Sequence, residues 1–251
     1  MAKEVAAQIP KKLNKEPLLE AIWELRFDGN PAAGTALLGL LFKKYAIDGR
    51  EVKIQTLPLA SVPPEARNSQ EPLRYLATSI LRMENYGALI GDHAVALSVT
   101  KPYPGWTALR KKILELAKWL QQSQLIGQPQ QCTLRYIDFF PQLEIEPLRS
   151  LRLEIHAAGM QPGAGELKLQ MPVKKGIFDG VIQIMNPATV TVMNKQERGL
   201  VTDVQVTWHN KASVNFWKAF PSVLDKAKSA CHQLFFGLLT EKTVKYHDPV
   251  Y

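Results

Sequence analysis

Apolar side chains recur at every second position near the start of the chain. Between residues 20 and 27, one face of an extended segment would be apolar and the other largely charged. Because successive side chains of a β-strand point to opposite faces, this pattern predicts a half-buried strand. Asn30 and Pro31 then supply a helix cap and a first-turn proline, and a helix of about four turns is expected to follow. The apolar positions of the strand are Ala21, Trp23, Leu25 and Phe27.

The middle of the chain has the pattern of a strand meander, an amphipathic helix and a further strand. Strand patterns cover residues 74–83, 87–90 and 93–100, and another covers residues 132–140. Residues 105–125 place apolar side chains on one stripe and basic side chains off it, which predicts a helix with a basic, solvent-facing side. The stripe consists of Leu109, Ile113, Leu116, Ala117 and Leu120. Residues 56–72 contain four prolines and predict a long exposed linker or insertion loop.

The second half of the chain is dominated by strand patterns. Alternation at residues 151–155 opens it, and strand-like segments follow at 166–171, 178–185, 189–193 and 200–208. A helical pattern then runs from about residue 213 to residue 240, where Pro221 marks a kink or the first turn of a second helix. Glycine and asparagine mark the turns between the strands, at Gly163 with Gly165, at Asn186 with Pro187, and at residues 194–199.

This order of elements determines the expected fold class. Runs of strands separated by helices favour an α+β protein with antiparallel sheets packed against long helices, and disfavour a doubly wound parallel sheet. Each half ends with a long helix, so the halves form either two similar lobes or one continuous sheet that grips the helices. We predict an N-terminal α+β lobe at residues 1–148, with the Pro-rich insertion at 56–72. A C-terminal lobe at residues 149–251 would contain an antiparallel sheet and the long closing helix.

The composition is that of a globular protein without a membrane segment. The chain of 251 residues is 46% hydrophobic and 22% charged, which is too apolar for a disordered protein. Its longest apolar run, residues 36–42, is shorter than the roughly 20 residues that span a bilayer. The first residues lack the apolar core of a secretory signal. The sequence therefore predicts a cytoplasmic protein with no membrane partner.

No motif points to catalysis, a cofactor or a metal. The glycines near residue 163 precede a strand pattern and lack the helix that a phosphate-binding loop needs. The five histidines are scattered, and no two are spaced as in a helical metal site. Cys231 and His232 are neighbours on a helix, where adjacent side chains point about 100° apart and cannot form a nucleophile and base pair. We predict no catalytic residue, cofactor or metal ligand, and leave open a site assembled from residues distant in sequence.

The charge and the aromatic residues indicate a binding surface. Lysine and arginine outnumber aspartate and glutamate by 31 to 23, and the net charge of +8 favours acidic partners. The basic residues are spread along the chain, as on an ordinary solvated surface. Interleaved aromatic and basic residues are typical of protein hot spots and of single-stranded nucleic-acid sites, although aromatic residues are also common in cores. The candidate binding residues are Tyr103, Trp106, Arg110, Lys111, Lys112, Arg135 and Tyr136.

Four segments that span most of the chain resemble a known family. They are Pro17, Leu18, Glu20, Ala21, Glu24, Arg26 and Phe27; Tyr103, Pro104, Gly105 and Trp106; Leu134, Arg135, Tyr136 and Ile137; and His232, Phe235, Leu239 and Thr240. Together they resemble a sporadically distributed family of uncharacterised prokaryotic proteins of about this length, which tends to carry Asn where this chain has Asp138. None of the segments is a catalytic signature. The resemblance implies mobile or defence-linked cassettes, and an accessory protein that binds another component.

Three functional hypotheses follow. The leading one is a non-enzymatic protein-interaction module, an accessory subunit of a prokaryotic defence or stress system that binds a protein partner through exposed aromatic and basic surface. The first alternative is a nucleic-acid-binding protein that uses the basic helix at residues 106–118. The second alternative is a small-ligand binder or enzyme with a pocket between the sheet and the closing helix. A buried polar cavity around Tyr136 or His232 would favour it, and a filled apolar core there would remove it.

Overall fold

The alternating segment near the N-terminus forms a central strand of a large sheet. A computed structural model describes residues 8–29, 33–46, 51–141, 147–155, 166–192, 195–211 and 213–251. The first half contains β1 (Lys12–Leu13), β2 (Leu18–Phe27), α1 (Ala33–Tyr45), β3 (Lys53–Thr56), α2 (Pro64–Ser69), α3 (Glu71–Arg74), β4 (Ser79–Met83), β5 (Tyr86–Ile90), β6 (Ala94–Thr100), α4 (Trp106–Ser123) and β7 (Pro129–Pro141). The second half contains β8 (Leu167–Lys175), β9 (Phe178–Val192), β10 (Lys195–His209), α5 (Phe216–Leu238), α6 (Glu241–Tyr246) and β11 (Pro249–Val250). The predicted α+β class is confirmed.

Nine strands form one antiparallel sheet in the order β3-β4-β5-β6-β2-β7-β10-β9-β8. Four strands lie on the β2 side of the β2 and β7 pair and three lie on the β7 side. On one side lies the meander β4 to β6, which precedes α4, and on the other lies the meander β8 to β10, which precedes α5. Because β7 of the first half and β10 of the second half are hydrogen-bonded neighbours, both halves share one continuous sheet. The division into lobes at residues 148 and 149 stays a prediction.

The two long helices pack against the apolar face of this sheet. Trp23, Leu25 and Phe27 of β2 are fully buried, as their alternation predicts. The apolar stripe predicted for α4 is buried along its whole length. Trp23 also packs against Phe220 of α5, with ring centroids 5.7 Å apart. These side chains belong to one hydrophobic cluster, and removing their apolar surface from water is the main force that holds the helices on the sheet.

The Pro-rich segment at residues 56–72 is mostly exposed, but it contains helical turns where a loop was expected. A 3-10 turn at Pro58–Ser61 precedes α2, and proline occupies the first helical positions of α2 and α3. Proline suits these positions because the amide hydrogen that it lacks would have no partner there. Arg67 of α2 is buried and donates hydrogen bonds to the carboxylate of Asp92. This contact ties the segment to the turn between β5 and β6.

The strand predicted at residues 151–155 is wrong. Leu151 makes a single bridge to Leu239, and the amide of Arg152 donates to the carbonyl of Leu238. The last carbonyls of a helix have no partner within the helix. The segment therefore closes the end of α5 instead of extending the sheet.

The turn predicted at Asn186 and Pro187 is also wrong, since β9 continues through both residues. Asn186 pairs with Leu167, the first residue of β8, so Pro187 lies beyond the end of that neighbour. On the other side, the register shifts between Gly199 and Val201 of β10, which marks a β-bulge. Proline is tolerated at bulges because the ladder needs no hydrogen bond from its nitrogen there. Residues 195–199, expected in a turn, likewise belong to β10.

Other element boundaries differ by a few residues. The strand expected from residue 74 begins at Ser79, because Arg74 ends α3. Pro221 lies inside α5, which continues past it. Two predicted features lie outside the described residues, namely the helix cap at Asn30 and Pro31 and the turn at Gly163 and Gly165.

Candidate functional site

A pocket lies between the sheet and the closing helix. It has a volume of about 210 Å³ and is bordered by β7, by α5, by the start of α4 and by the segment that precedes β2. Its apolar walls include Leu13, Leu18, Trp106 and Phe235. Its polar lining includes Glu16, Tyr103, Tyr136, Asp138, Lys228 and His232. This is the place where the small-ligand hypothesis expects a cavity.

One wall of the pocket is the segment at residues 11–17, which is held by the C-terminal residues. β1 pairs with β11, and the amides of Asn14 and Lys15 donate to the carbonyls of Asp248 and His247. The Nδ1 atom of His247 in turn donates to the carbonyl oxygen of Lys15 at 2.6 Å. Burial lowers the pKa of His247, which favours the neutral ring in this contact. The two segments therefore close this side of the pocket together.

β7 presents two polar side chains to the helices. Side chains two residues apart in a strand share a face, so Tyr136 and Asp138 lie on the same side as the core residue Leu134. In the sheet register, Asp138 is opposite Leu18 of β2 and Thr202 of β10. Neighbouring strands thus enclose Asp138 on both sides, and its side chain lines the pocket.

The carboxyl group of Asp138 is buried without a hydrogen-bond partner among the described residues. Burial disfavours its charged form and raises its pKa to about 7, while the nearby Lys228 acts in the opposite direction. Thr202, its neighbour in β10, is also fully buried, and no described group accepts or donates a hydrogen bond at its hydroxyl. Since buried polar groups are normally hydrogen-bonded and only Asp138 of these two lines the pocket, Asp138 indicates a place for a partner that the protein does not supply.

Lys228 reaches the same space from α5. Its Nζ atom lies 4.4 Å from the centroid of the Tyr136 ring, which is a cation–π distance. Burial lowers the pKa of Lys228, whereas Cys231, Asp138 and Glu16 favour its charged form. In the described part of the chain, no carboxylate forms an ion pair with this ammonium group. Glu16 lies at the rim, and burial raises its pKa as well.

Two tyrosine hydroxyls also belong to the site. Burial raises the pKa of Tyr103 to about 12 and holds the pKa of Tyr136 well above its usual value. The two side chains are neighbours, because each influences the ionisation of the other. The two hydroxyls are close enough for a poorly aligned hydrogen bond that affects both pKa values, and neither has a well-aligned partner among the described residues. Both hydroxyls therefore stay protonated at neutral pH, and each can donate a hydrogen bond to a ligand.

The side chains of Cys231 and His232 contact different backbone carbonyl groups. The thiol of Cys231 donates to the carbonyl of Leu134 at 3.5 Å, and burial raises its pKa to about 12. Such a thiol is a poor nucleophile because the thiolate is the reactive form. The Nε2 atom of His232 instead lies 3.4 Å from the carbonyl oxygen of Lys11. Across the described ranges, no group of three or more His, Cys, Asp or Glu residues is placed to hold a metal ion.

Three of the seven candidate binding residues line the pocket, namely Tyr103, Trp106 and Tyr136. Tyr103 lies between β6 and α4, and Trp106 is the first residue of α4. Both are partly buried and pack against the hydrophobic core. The structure therefore brings together aromatic residues that are distant in sequence, in a pocket between the sheet and the helices.

The four basic candidates lie elsewhere. Arg110 forms a bidentate ion pair with Asp225 of α5, at distances of 2.6 and 2.8 Å. Lys111 and Lys112 belong to the same helix and do not line the pocket. Arg135 points to the opposite face of β7 from Tyr136 and donates to Asp203 at 2.9 Å. Binding of a protein or a nucleic acid by these basic residues stays a prediction.

Sequence reasoning missed Glu16, Asp138 and Lys228 as members of a site. The sequence contains a signal that could have identified two of them, Asp138 and Lys228. Asp138 stands two positions after Tyr136, on the buried face of the predicted strand, and Lys228 stands next to Ala227 on the apolar stripe of the closing helix. Charged side chains are rarely buried without a partner, so both positions are informative. Glu16 precedes the strand, and no local pattern marks it.

Comparison with known proteins leaves the geometry as the basis for a functional interpretation. No family model matches the chain, and the search of curated proteins finds no match either. The resemblance to the sporadically distributed prokaryotic family therefore stays a prediction. Among the helices within the described ranges, none is long and apolar enough to cross a membrane.

The site combines hydrogen-bonding groups with apolar walls. Lys228 and the two tyrosine hydroxyls can donate, and Asp138 can donate when it is protonated. Groups with perturbed pKa values in a cleft are typical of functional sites. A molecule with a polar head group and an apolar body would complement both parts of the lining.

Proposed function

We propose that this protein binds a small organic molecule in the pocket between β7 and α5. The observation that carries the proposal is the buried carboxyl group of Asp138, for which the described residues supply no hydrogen-bond partner. The side chain of Asp138 lines the pocket, so its hydrogen-bond partner has to come from the contents of the pocket, and burial already makes its charged form unfavourable. A ligand that hydrogen-bonds this group gives a reason for placing it there.

The size of the pocket limits the ligand. Its volume of about 210 Å³ lies below the roughly 300–1,000 Å³ that is typical of drug-sized sites. Trp106 and Phe235 would cover the body of such a molecule, and the polar groups of β7 and α5 would fix its orientation. The part of the ligand that lies inside the pocket is therefore no larger than a compact metabolite.

The positions of the aromatic candidates also support this function. Tyr103 and Trp106 were expected on an exposed interaction surface, but they are partly buried beside the cavity. The protein-interaction module of a defence or stress system and the nucleic-acid-binding protein stay predictions from the sequence. A cytoplasmic location also stays a prediction from the sequence.

A binding screen tests the proposal. Small carboxylates, amines, amides and alcohols would be tested against the protein by ligand-observed NMR. We expect at least one class to bind, with weaker binding to Tyr136→Phe and to Lys228→Met. Lys111→Met is the matched control, because it removes the same charge outside the pocket and should leave binding unchanged. The proposal fails if no compound binds, or if every binder is insensitive to both pocket variants.

A further inference from the structure

We infer that the ligand of this pocket is a small carboxylate with an apolar body, held by the ammonium group of Lys228 and the hydroxyls of Tyr103 and Tyr136. The inference rests on the proposed function and adds the chemical class of the ligand. It follows from the hydrogen-bonding character of the lining, from the charges at the mouth and from the apolar walls.

The polar groups around Lys228 are chiefly donors. An ammonium group has three donors and no acceptor, and a tyrosine hydroxyl has one donor. Lys228 has no hydrogen-bond or ion-pair partner within the described part of the chain, and the two hydroxyls have only their poorly aligned contact with each other. A carboxylate is the complementary group, because it only accepts and has two oxygens. Hydrogen bonds from an ammonium group to a carboxylate are also roughly twice as strong as those between neutral groups.

The charge distribution points in the same direction. Lys11 and Lys12 are exposed at the mouth, so lysines around the pocket outnumber carboxylates by three to two. One of the two carboxylates, Asp138, is only partly ionised at neutral pH because its pKa is about 7. The local field therefore favours an anion over a cation.

Asp138 makes this preference depend on pH. A protonated Asp138 donates a hydrogen bond to a bound carboxylate, whereas an ionised Asp138 repels it. Burial holds the thiol of Cys231 and the hydroxyl of Tyr136 protonated throughout the neutral range. The charged and titratable groups that act on Asp138 are Glu16, Lys101, Tyr136, Asp203, Lys228 and Cys231, and His232 lines the same pocket.

The apolar walls select the body of the ligand. Leu18, Trp106 and Phe235 line the same pocket as the polar groups. Aromatic rings gain from offset or edge contacts with other rings as well as from burial. A single aromatic ring with a short carboxylate arm fits this lining and the small volume.

The ligand class can be tested with three compounds that share a phenyl ring and differ in their polar head group. Phenylacetate, phenylacetamide and 2-phenylethylamine would be titrated into the protein by calorimetry. We expect phenylacetate to bind about tenfold or more tightly than the other two, because only it brings a full negative charge to the ammonium group of Lys228. Lys228→Met should weaken phenylacetate by a similar factor and phenylacetamide clearly less, while Lys111→Met should alter neither.

The pH dependence provides an independent readout. If only the protonated form of Asp138 accepts the anion, the affinity for phenylacetate should fall about tenfold between about pH 6 and about pH 8. Asp138→Asn cannot ionise and keeps a donor, so it should bind phenylacetate with little pH dependence. Tyr136→Phe retains the ring and should weaken phenylacetate severalfold, and thermal melting shows whether each variant is folded.

Several outcomes would overturn the inference. Tighter binding of 2-phenylethylamine, or an affinity for phenylacetate that rises with pH, would mean that Asp138 and Glu16 recognise a cation. Binding of another compound class, with no carboxylate bound, would reject the ligand class and leave the proposed function intact. A complete panel without any binder would reject both.

Discussion

Among the residues that the structure describes, three aspartates are almost completely buried, and two of these have hydrogen-bond partners there while the third has none. Asp92, Asp138 and Asp203 are 6%, 5% and 3% exposed. Asp92 accepts hydrogen bonds from Arg67 at 2.9 and 2.7 Å, and Asp203 accepts from Arg135. Asp138 receives none from any residue that the structure describes. The three aspartates are buried to nearly the same extent, so burial does not distinguish them. The hydrogen-bond partner does: Asp92 and Asp203 are structural carboxylates, whereas Asp138 is a candidate binding group.

The same contrast divides the two faces of the β7 and β10 pair. On the face away from the helices, Arg135 binds Asp203, and the hydroxyls of Thr133 and Thr207 lie 2.9 Å apart in a hydrogen bond. On the helix-facing side, Asp138 and Thr202 are opposite one another in the register and lack partners among the described residues. One face therefore stabilises the strand pair, whereas the other gives up stability at the pocket.

The largest expected effect on stability comes from breaking the buried ion pair between Arg67 and Asp92. Arg67→Ala would leave the carboxylate of Asp92 buried without its cation, because Arg67 and Asp92 are both almost fully buried. Breaking a buried pair in this way typically costs about 3–5 kcal/mol of the free energy of unfolding. Denaturant titration measures the loss. Arg82→Ala is the matched control, since exposed Arg82 bonds only Gln55 and should change stability by about 0.5 kcal/mol or less.

A double variant makes the test of Arg67 sharper. Arg67→Ala combined with Asp92→Ala removes both charges, so it should recover part of the loss and give a coupling energy of about 0.5–3 kcal/mol. A loss below about 1 kcal/mol for Arg67→Ala alone would show that Asp92 is not held as a buried charge. The contrast with Asp138 would then have no energetic basis.

Asp138 should have the opposite relation to stability. Its pKa is about 7 in the folded protein and 3.8 in a free side chain, so the folded state holds the proton more tightly. The protonated carboxyl group contributes to the free energy of unfolding. This contribution is fully present below about pH 4 and is lost as the pH rises through about 7, and the total loss is about 2–4 kcal/mol. Asp138→Asn cannot lose it. The variant should therefore gain stability relative to the native chain between about pH 5 and about pH 8.

Denaturant titrations of both proteins across this pH range measure the difference. Burial also lowers the pKa values of His93, His232 and His247, and these groups alter stability in the same range. They contribute equally to both proteins, so the difference isolates Asp138. Asp179→Asn, which replaces an exposed carboxylate, is the control. Parallel stability curves for the native chain and Asp138→Asn would contradict the raised pKa.

Most elements could be predicted because their signals are local. The alternation around Trp23 and the stripe around Ile113 each state which side chains face the core, and both are buried as predicted. The strand order has no such signal, because it depends on which distant strands pair. The continuation of β9 through Pro187 also depends on its neighbours, since the proline lies beyond the end of β8 and at the register shift between β9 and β10.

The candidate site could be predicted only in part. Tyr103, Trp106 and Tyr136 were recognised as binding residues, but for an exposed surface, because the sequence does not state which aromatic residues the helices cover. Asp138 and Lys228 lie in different elements, and only the packing of α5 on β7 brings them to the same pocket. The raised pKa of Asp138 is a consequence of that packing, so no spacing in the sequence could show it.

The smallest expected effect comes from a pair with the same chemistry in a different setting. Arg110 and Asp225 form a bidentate ion pair between α4 and α5, but their side chains are 35% and 47% exposed. Water solvates both charges in the folded and in the unfolded protein, so such pairs contribute only about 0.2–1 kcal/mol. Arg110→Ala should therefore cost far less than Arg67→Ala when the free energies of unfolding are compared in the same buffer. Because both pairs join an arginine to an aspartate, the difference between the two variants measures the effect of burial itself. Equal losses would mean that burial does not set the strength of these contacts. The burial of Asp138 without a partner would then no longer indicate a binding site.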